Sequence, residues 1–400
     1  MGPDLVRALA RALLRLFYRR LAVTGLEHVP RTGPVIVAAN HQNGLVDAML
    51  VLAVVPRRLR PLAKAPLFRH PLVAPFLRLA AALRVERRQD PGSDPGRNVE
   101  TFVAVRRALA AGDGILIFPE GVSQPEPSLM TLRTGAARML LDARAAGAPP
   151  VALVPVGLVF HEPGRFRDGE AFVSVGPPVR TDDCLARYAD DAAAAVRELT
   201  DRLTDALRRQ MVEADDRQTL RLLHLAERVW RHESGGRDED RLAWMQTAAR
   251  AWKWLRAARP ADAERLRREM EAYAADLDAL GVTPGQLSRD YAPASVARYV
   301  ARELMPLVLG LPLALVGVAL HALPYRLTDL AVRALRAQPD VEATYKIAAG
   351  VVLYPLAWGL EAWIALRVAG VTALVLFLAA LIPTGLLAIA WRDRVASVRR

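Results

Sequence analysis

Three apolar runs, residues 304–323, 347–366 and 371–391, crowd the last hundred positions of the chain. Each is about as long as a helix must be to cross the ~30 Å hydrocarbon layer of a bilayer. In water such a run needs a core that covers it on all sides. In lipid it need only satisfy its own backbone. Three in succession favour lipid over the buried helices of a soluble domain. The third run carries no charge and ends on Trp391, with Arg392 behind it. The second contains Glu361, costly in lipid unless turned inward, and the first is interrupted by Pro306, Gly310, Pro312 and Gly317 and holds His321. Three simple crossings would put the arginines at 326, 333 and 336 and those of the tail on the outer side, against the positive-inside rule. A hairpin of the second and third runs, turning at "RVAG" (367–370), with the first re-entrant or interfacial, keeps the basic segments together.

The preceding residues have a different texture. Between about 22 and 180, short apolar segments ("PVIVAAN", "GILIFPE", "VALVPVGLVF", "AFVSVG") alternate with helical patterns such as "NVETFVAVRRALAAG". That alternation predicts an α/β domain with a mostly buried mixed sheet flanked by helices. From 190 to 300 the chain reads as charged and helical, with "ESGGRDED" as a loop. At the N-terminus Arg7, Arg11, Arg15 and Arg19 recur every four residues, opposite a stripe of Leu5, Leu9, Leu13 and Phe17. The arginines leave no room for the apolar core of a cleavable signal, and the pattern suits a helix at a membrane interface or one docked on its own domain. The expected organisation is an interface helix (1–21), the α/β domain (22–210), a charged helical region (211–300) and a membrane-embedded helical region (301–400).

A net charge of +12 calls for an anionic partner. Nucleic-acid binding would need aromatic platforms on a basic soluble face, whereas aromatic residues are 6% of the chain and many lie in the apolar tail. Anionic lipid or a phosphorylated substrate fits better. The single cysteine, Cys184, excludes an intramolecular disulfide and a cysteine-based zinc site.

Chemistry concentrates at "NHQNGLVD" (40–47), where the strand "PVIVAA" ends. Six residues on one helix are about 240° apart, so His41 and Asp47 meet only if His41 lies in the loop before the helix that carries Asp47. Asp47 would then hold one ring nitrogen and leave the other to take a proton from an alcohol. A loop histidine beside a capping aspartate has the same spacing. Ser123 lacks the Gly-x-Ser-x-Gly surround of an activated nucleophile.

Further blocks follow in order: "LRVERRQD" (83–90), "IFPEGVSQPEPSLMTLRTGAARML" (117–140) and "VALVPVGLVF" (151–160). Together with the first, this ordered set resembles the glycerolipid acyltransferase family over roughly residues 20 to 185. The family's first block has four residues between histidine and aspartate. Here there are five, which resembles the branch of fungal-type glycerol-3-phosphate and dihydroxyacetone-phosphate acyltransferases. The resemblance implies His41 as general base, Asp47 as its orienting partner and Arg87 as a phosphate ligand. It implies that Glu120 and Gly121 line the acceptor pocket, and that Arg133, where many relatives have lysine, is a cation for phosphate or the acyl carrier. It also implies transfer of an acyl group from acyl-CoA or acyl carrier protein to glycerol 3-phosphate or 1-acylglycerol 3-phosphate. No metal or cofactor is expected, and the setting is a membrane, with a bacterial inner membrane and a cytoplasmic catalytic face. Lysophospholipid reacylation and a non-catalytic lipid-binding scaffold are the alternatives.

Overall fold

The computed structural model describes residues 2–70, 73–86, 96, 98–162, 164–167, 169–235, 240–287, 293–335 and 341–399. The chain divides into two compact units. One contains Met1–Leu223, Glu239–Ala251 and Pro339–Thr344, and the other His224–Asp238, Trp252–Gln338 and Tyr345–Arg400.

The first unit is built on a seven-stranded sheet. Its strands are β1 (Arg20–Thr24), β2 (Val35–Ala39), β3 (Leu59–Lys64), β4 (Leu83–Val85), β5 (Gly114–Ile117), β6 (Ala152–His161) and β7 (Glu170–Val175). They lie in the order β1-β7-β6-β2-β5-β3-β4. Neighbours are parallel except β6 and β7, so the sheet is mixed, as expected. β2 and β5 are buried at every position, which is why they read as unbroken apolar runs. β1, β3 and β4 are the strands the periodicity does not announce. β1 is half-buried throughout, β3 contains Pro61, and β4 spans three residues.

Around the sheet stand α1 (Gly2–Phe17), α2 (Gly44–Val54), α3 (Ala74–Leu79), α4 (Asn98–Ala110), α5 (Gly135–Ala145), α6 (Asp182–Tyr188) and α7 (Ala192–Arg208). Leu109 of α4, Leu140 of α5 and Leu199 of α7 bury against Ile36, Ile115 and Leu153 of the sheet. A second cluster joins Val159 and Phe172 to Met211, Val212, Leu223 and Met245. The α/β unit therefore continues past residue 210, where the sequence placed its end. The charged region supplies α8 (Arg217–Ser234), α9 (Arg241–Ala258), α10 (Pro260–Leu280) and α11 (Pro284–Leu287), and α8 and α9 are each shared between the two units.

α1 buries Ala10, Leu14 and Phe17, leaving Leu5 and Leu16 exposed. Its arginines do not form a uniform comb. Arg7 donates to the carbonyls of Leu52 (3.2 Å) and Val55 (2.7 Å), and Arg11 to that of Ala53 (2.8 Å). These are carbonyls at the C-terminal end of α2, where a helix lacks internal donors and carries partial negative charge. Two of the four arginines expected to face headgroups are thus committed to the protein's own backbone.

The second unit contains α12 (Pro293–Ala334) and, from Tyr345 onward, α13 (Glu342–Arg399), two helices long and apolar enough to cross a membrane. Gly370 breaks α13 with φ 80° and ψ −170°. The His321 ring lies 5.6 Å from that of Trp358, before the break, and against Gly385, after it. A straight helix would hold positions 27 apart about 40 Å from each other, so the chain reverses at Gly370. This is the hairpin turn expected at "RVAG". Trp391 donates to the Leu307 carbonyl (2.9 Å) and Arg394 pairs with Glu303 (2.9 Å), which tie the end of α13 to the start of α12.

Candidate active site

Asn40 is the first residue past β2, and its side chain copies a strand's own bonding. Its Nδ2 donates to the Leu158 carbonyl (3.0 Å) and its Oδ1 accepts from the Leu158 amide (2.7 Å). That clamp on β6 fixes where the loop departs. The loop then turns into α2 through Asn43 and Gly44, whose φ of 49° lies in the left-handed region that glycine enters most readily.

The consequence is the meeting the sequence required. His41 Nδ1 lies 2.8 Å from Asp47 Oδ2. The same oxygen accepts from the amides of Gln42 (2.7 Å) and Asn43 (2.8 Å), and Asp47 is fully buried. One carboxylate thus folds the loop and orients the ring. With Nδ1 as the donor to this anion, the neutral tautomer carries its lone pair on Nε2. The His41 side chain retains 19% of its exposure, so the ring is partly open to solvent.

β5 contributes the next layer. Phe118 stacks on the imidazole with centroids 4.2 Å apart and planes 19° apart. Glu120 is buried, and its two oxygens accept from the amides of His41 (2.6 Å) and Met130 (3.1 Å). Both carboxylate oxygens are thus engaged by backbone donors, and Glu120 holds the His41 loop to the segment after β5. Gly121 has φ 77°, and a Cβ there would come within 2.6 Å of Arg133 Nε. A glycine is needed both for the turn and for the passage of the Arg133 side chain. Arg133 is itself exposed, and its amide donates to the Pro119 carbonyl (2.8 Å). Arg87 lies outside the described residues. Among the described residues, no three His, Cys, Asp or Glu side chains group closely enough to hold a metal ion.

Sequence reading missed several supports. Gln124 donates its amide to the His41 carbonyl (3.0 Å), and Gln42 donates Nε2 to the Glu126 carbonyl (3.2 Å). Tyr18, between α1 and β1, receives the Asn43 Nδ2 donor (3.0 Å). Phe118 was legible only as part of "FPEG", and nothing in the spacing links Tyr18 to residue 43.

Burial raises the Glu120 carboxyl from its ordinary 4.5 to about 7, against the lowering effect of its two backbone donors. The folded chain holds this proton more tightly than the unfolded chain. Its contribution to stability is full below about pH 4.5 and is lost as pH rises through about 7. The detergent-solubilised protein should therefore lose thermal stability between about pH 5 and 7.5, and Glu120→Gln should flatten that slope. Equal slopes in the two proteins would contradict the assignment.

Residues 20–159 match the family model described as Acyltransferase. The chain is 34% identical over 135 residues to glycerol-3-phosphate O-acyltransferase 2 of Saccharomyces cerevisiae, covering 33% of this chain and 18% of the relative. It is 27% identical over 168 residues to human 1-acyl-sn-glycerol-3-phosphate acyltransferase alpha, covering 42% of this chain and 57% of that one. The aligned part thus spans from about a fifth to somewhat over half the length of these curated relatives. Among solved structures, the 1-acyl-sn-glycerophosphate acyltransferase of Thermotoga maritima aligns with a TM-score of 0.36 and 22% identity, over 49% of this chain and 79% of that one.

Proposed function

We propose that this protein transfers a fatty acyl group from an acyl thioester to the hydroxyl of glycerol 3-phosphate or 1-acylglycerol 3-phosphate. The observation that carries the reading is the His41–Asp47 pair, 2.8 Å apart at the end of β2 with one imidazole edge accessible. In this reaction His41 Nε2 takes the acceptor's hydroxyl proton, and the alkoxide attacks the thioester carbonyl. The tetrahedral adduct collapses, the carbon–sulfur bond breaks, and the thiolate leaves with the proton that His41 held. A thiol is a far stronger acid than an alcohol, so departure needs little further help. Asp47 balances the imidazolium that forms between these steps. The reaction needs no metal or cofactor beyond the co-substrate, which is acyl-CoA or acyl carrier protein. The apolar hairpin supports a membrane protein, and its arginine-rich flanks favour placing those flanks on the cytoplasmic side; the membrane we propose is a bacterial inner membrane with the acyltransferase domain on that face.

Arg87 is assigned to the acceptor phosphate, because a guanidinium fork matches a phosphate monoester bidentately. Arg133, exposed beside Gly121, is a second cation for phosphate or the acyl carrier. The test is kcat/KM of the purified protein toward glycerol 3-phosphate, lysophosphatidate and a choline-headed lysophospholipid, with labelled acyl thioester. Hydrogen bonds to charged groups contribute about 1.5–3 kcal/mol net. Arg87→Ala should lose roughly 10- to 150-fold on the monoesters, chiefly in acceptor KM, and less on the phosphodiester. A wild type that prefers the phosphodiester, with Arg87→Ala unaltered on both, would favour lysophospholipid reacylation instead.

A further inference from the structure

The N-terminus of α2 carries the orienting aspartate, yet its own capping residue does not cap it. A helix start leaves its first amides without internal partners, and an asparagine at the position before it normally accepts one of them. Asn43 occupies that position with no side-chain cap, because its side chain is turned to the buried hydroxyl of Tyr18. The Asn43 backbone carbonyl accepts from Val46 (3.0 Å). The Leu45 amide is instead capped from almost 300 residues away, by the hydroxyl of Thr344 (3.1 Å).

Thr344 belongs to the first turn of α13, the helix that continues from Tyr345 as the apolar hairpin. The turn is firmly seated on the α/β unit. Ala343 is fully buried, and Glu342 lies so close to Gly164 that a Cβ there would come within 2.6 Å of its carboxylate. Residues 339–344 belong to the same compact unit as α2.

We infer that Thr344 is a positioning residue for the acyl-transfer centre: its hydroxyl supplies the missing N-terminal cap of α2 and so fixes Asp47 beneath His41. It touches no reacting group. The route is Thr344 Oγ1 to the Leu45 amide, then two residues along the first turn of α2 to Asp47, then to the imidazole. The C-terminal region thereby does more than attach the enzyme to lipid, since the entry of its hairpin completes the catalytic loop. This inference rests on the acyl-transfer reading of the site.

The test uses full-length protein with Thr344→Val, which keeps the shape and removes the hydroxyl, and Thr344→Ser, which keeps the hydroxyl. Loss of a helix cap corresponds to a factor of about 3 to 30. Thr344→Val should lower kcat by up to that factor with both KM values unchanged, measured where the variant is still fully folded, since loss of the cap also lowers the melting temperature by a few degrees. Thr344→Ser should restore kcat. Hydrogen exchange at peptides covering residues 43–50 should quicken in Thr344→Val alone, a readout independent of which acceptor the enzyme uses. Absence of acyl transfer in the wild type, with exchange still quickened, would count against the proposed function and leave the cap standing. The inference is overturned by unchanged kcat and exchange in Thr344→Val, by failure of Thr344→Ser to restore them, or by an activity loss that merely tracks a fall in melting temperature.

Discussion

His41→Ala should remove acyl transfer while leaving a folded, membrane-bound protein. A positioned general base contributes about 10²–10⁴-fold in rate, and no second histidine stands at the ends of β2 and β5 to replace it. The fold should tolerate the change. The His41 backbone amide and carbonyl, which bond to Glu120 and Gln124, remain in place. What disappears is the ring, its contact with Phe118 and its bond to Asp47. Single-turnover transfer with labelled acyl thioester is the measurement, with a melting curve and membrane pelleting as controls. Activity within tenfold of the wild type would remove His41 from the mechanism.

Replacing Asp47 should separate two roles that one carboxylate combines. Asp47→Asn keeps a carbonyl oxygen able to accept from His41, Gln42 and Asn43, and its amide nitrogen takes the place of Oδ1, which has no partner. The loop should therefore hold, but the anion that balances the imidazolium is gone. Transfer should fall by about 10² or more, and the buried Nδ2 without an acceptor should cost about 1–3 kcal/mol of stability. Asp47→Ala removes the acceptor itself and leaves the amides of Gln42 and Asn43 without a partner. An unpaired buried donor costs about 1–3 kcal/mol, so this variant too should lose stability as well as activity. Melting temperatures and single-turnover rates of the two variants are the check. If Asp47→Asn retains more than a tenth of the wild-type rate, the charge has no part in the chemistry.

Much of this was legible in residue order alone. β2, β5, β6, β7 and α4 follow from short apolar runs and one amphipathic period, because burial on both faces of a parallel sheet leaves a local signature. The apolar tail and its turn at 367–370 follow from length and charge, since the bilayer sets both. The requirement that His41 lie before the helix of Asp47 is pure helix geometry. Edge strands such as β1 and β4 were not legible, because half-buried or three-residue strands carry no clear period.

Only tertiary structure decided where the polar groups went. Arg7 and Arg11 turn from the solvent side of α1 to the open carbonyls of α2, where the helix end offers unpaired acceptors and partial negative charge. Glu120 spends its oxygens on the His41 and Met130 amides because its burial leaves two backbone donors to satisfy. Thr344 caps α2 because Asn43 is engaged elsewhere. Apolar patterning is local and repeats along the chain, so sequence records it. A hydrogen bond joins whichever donor and acceptor the packed chain brings within 3 Å, and partners 79 or 299 residues apart leave no trace in residue order.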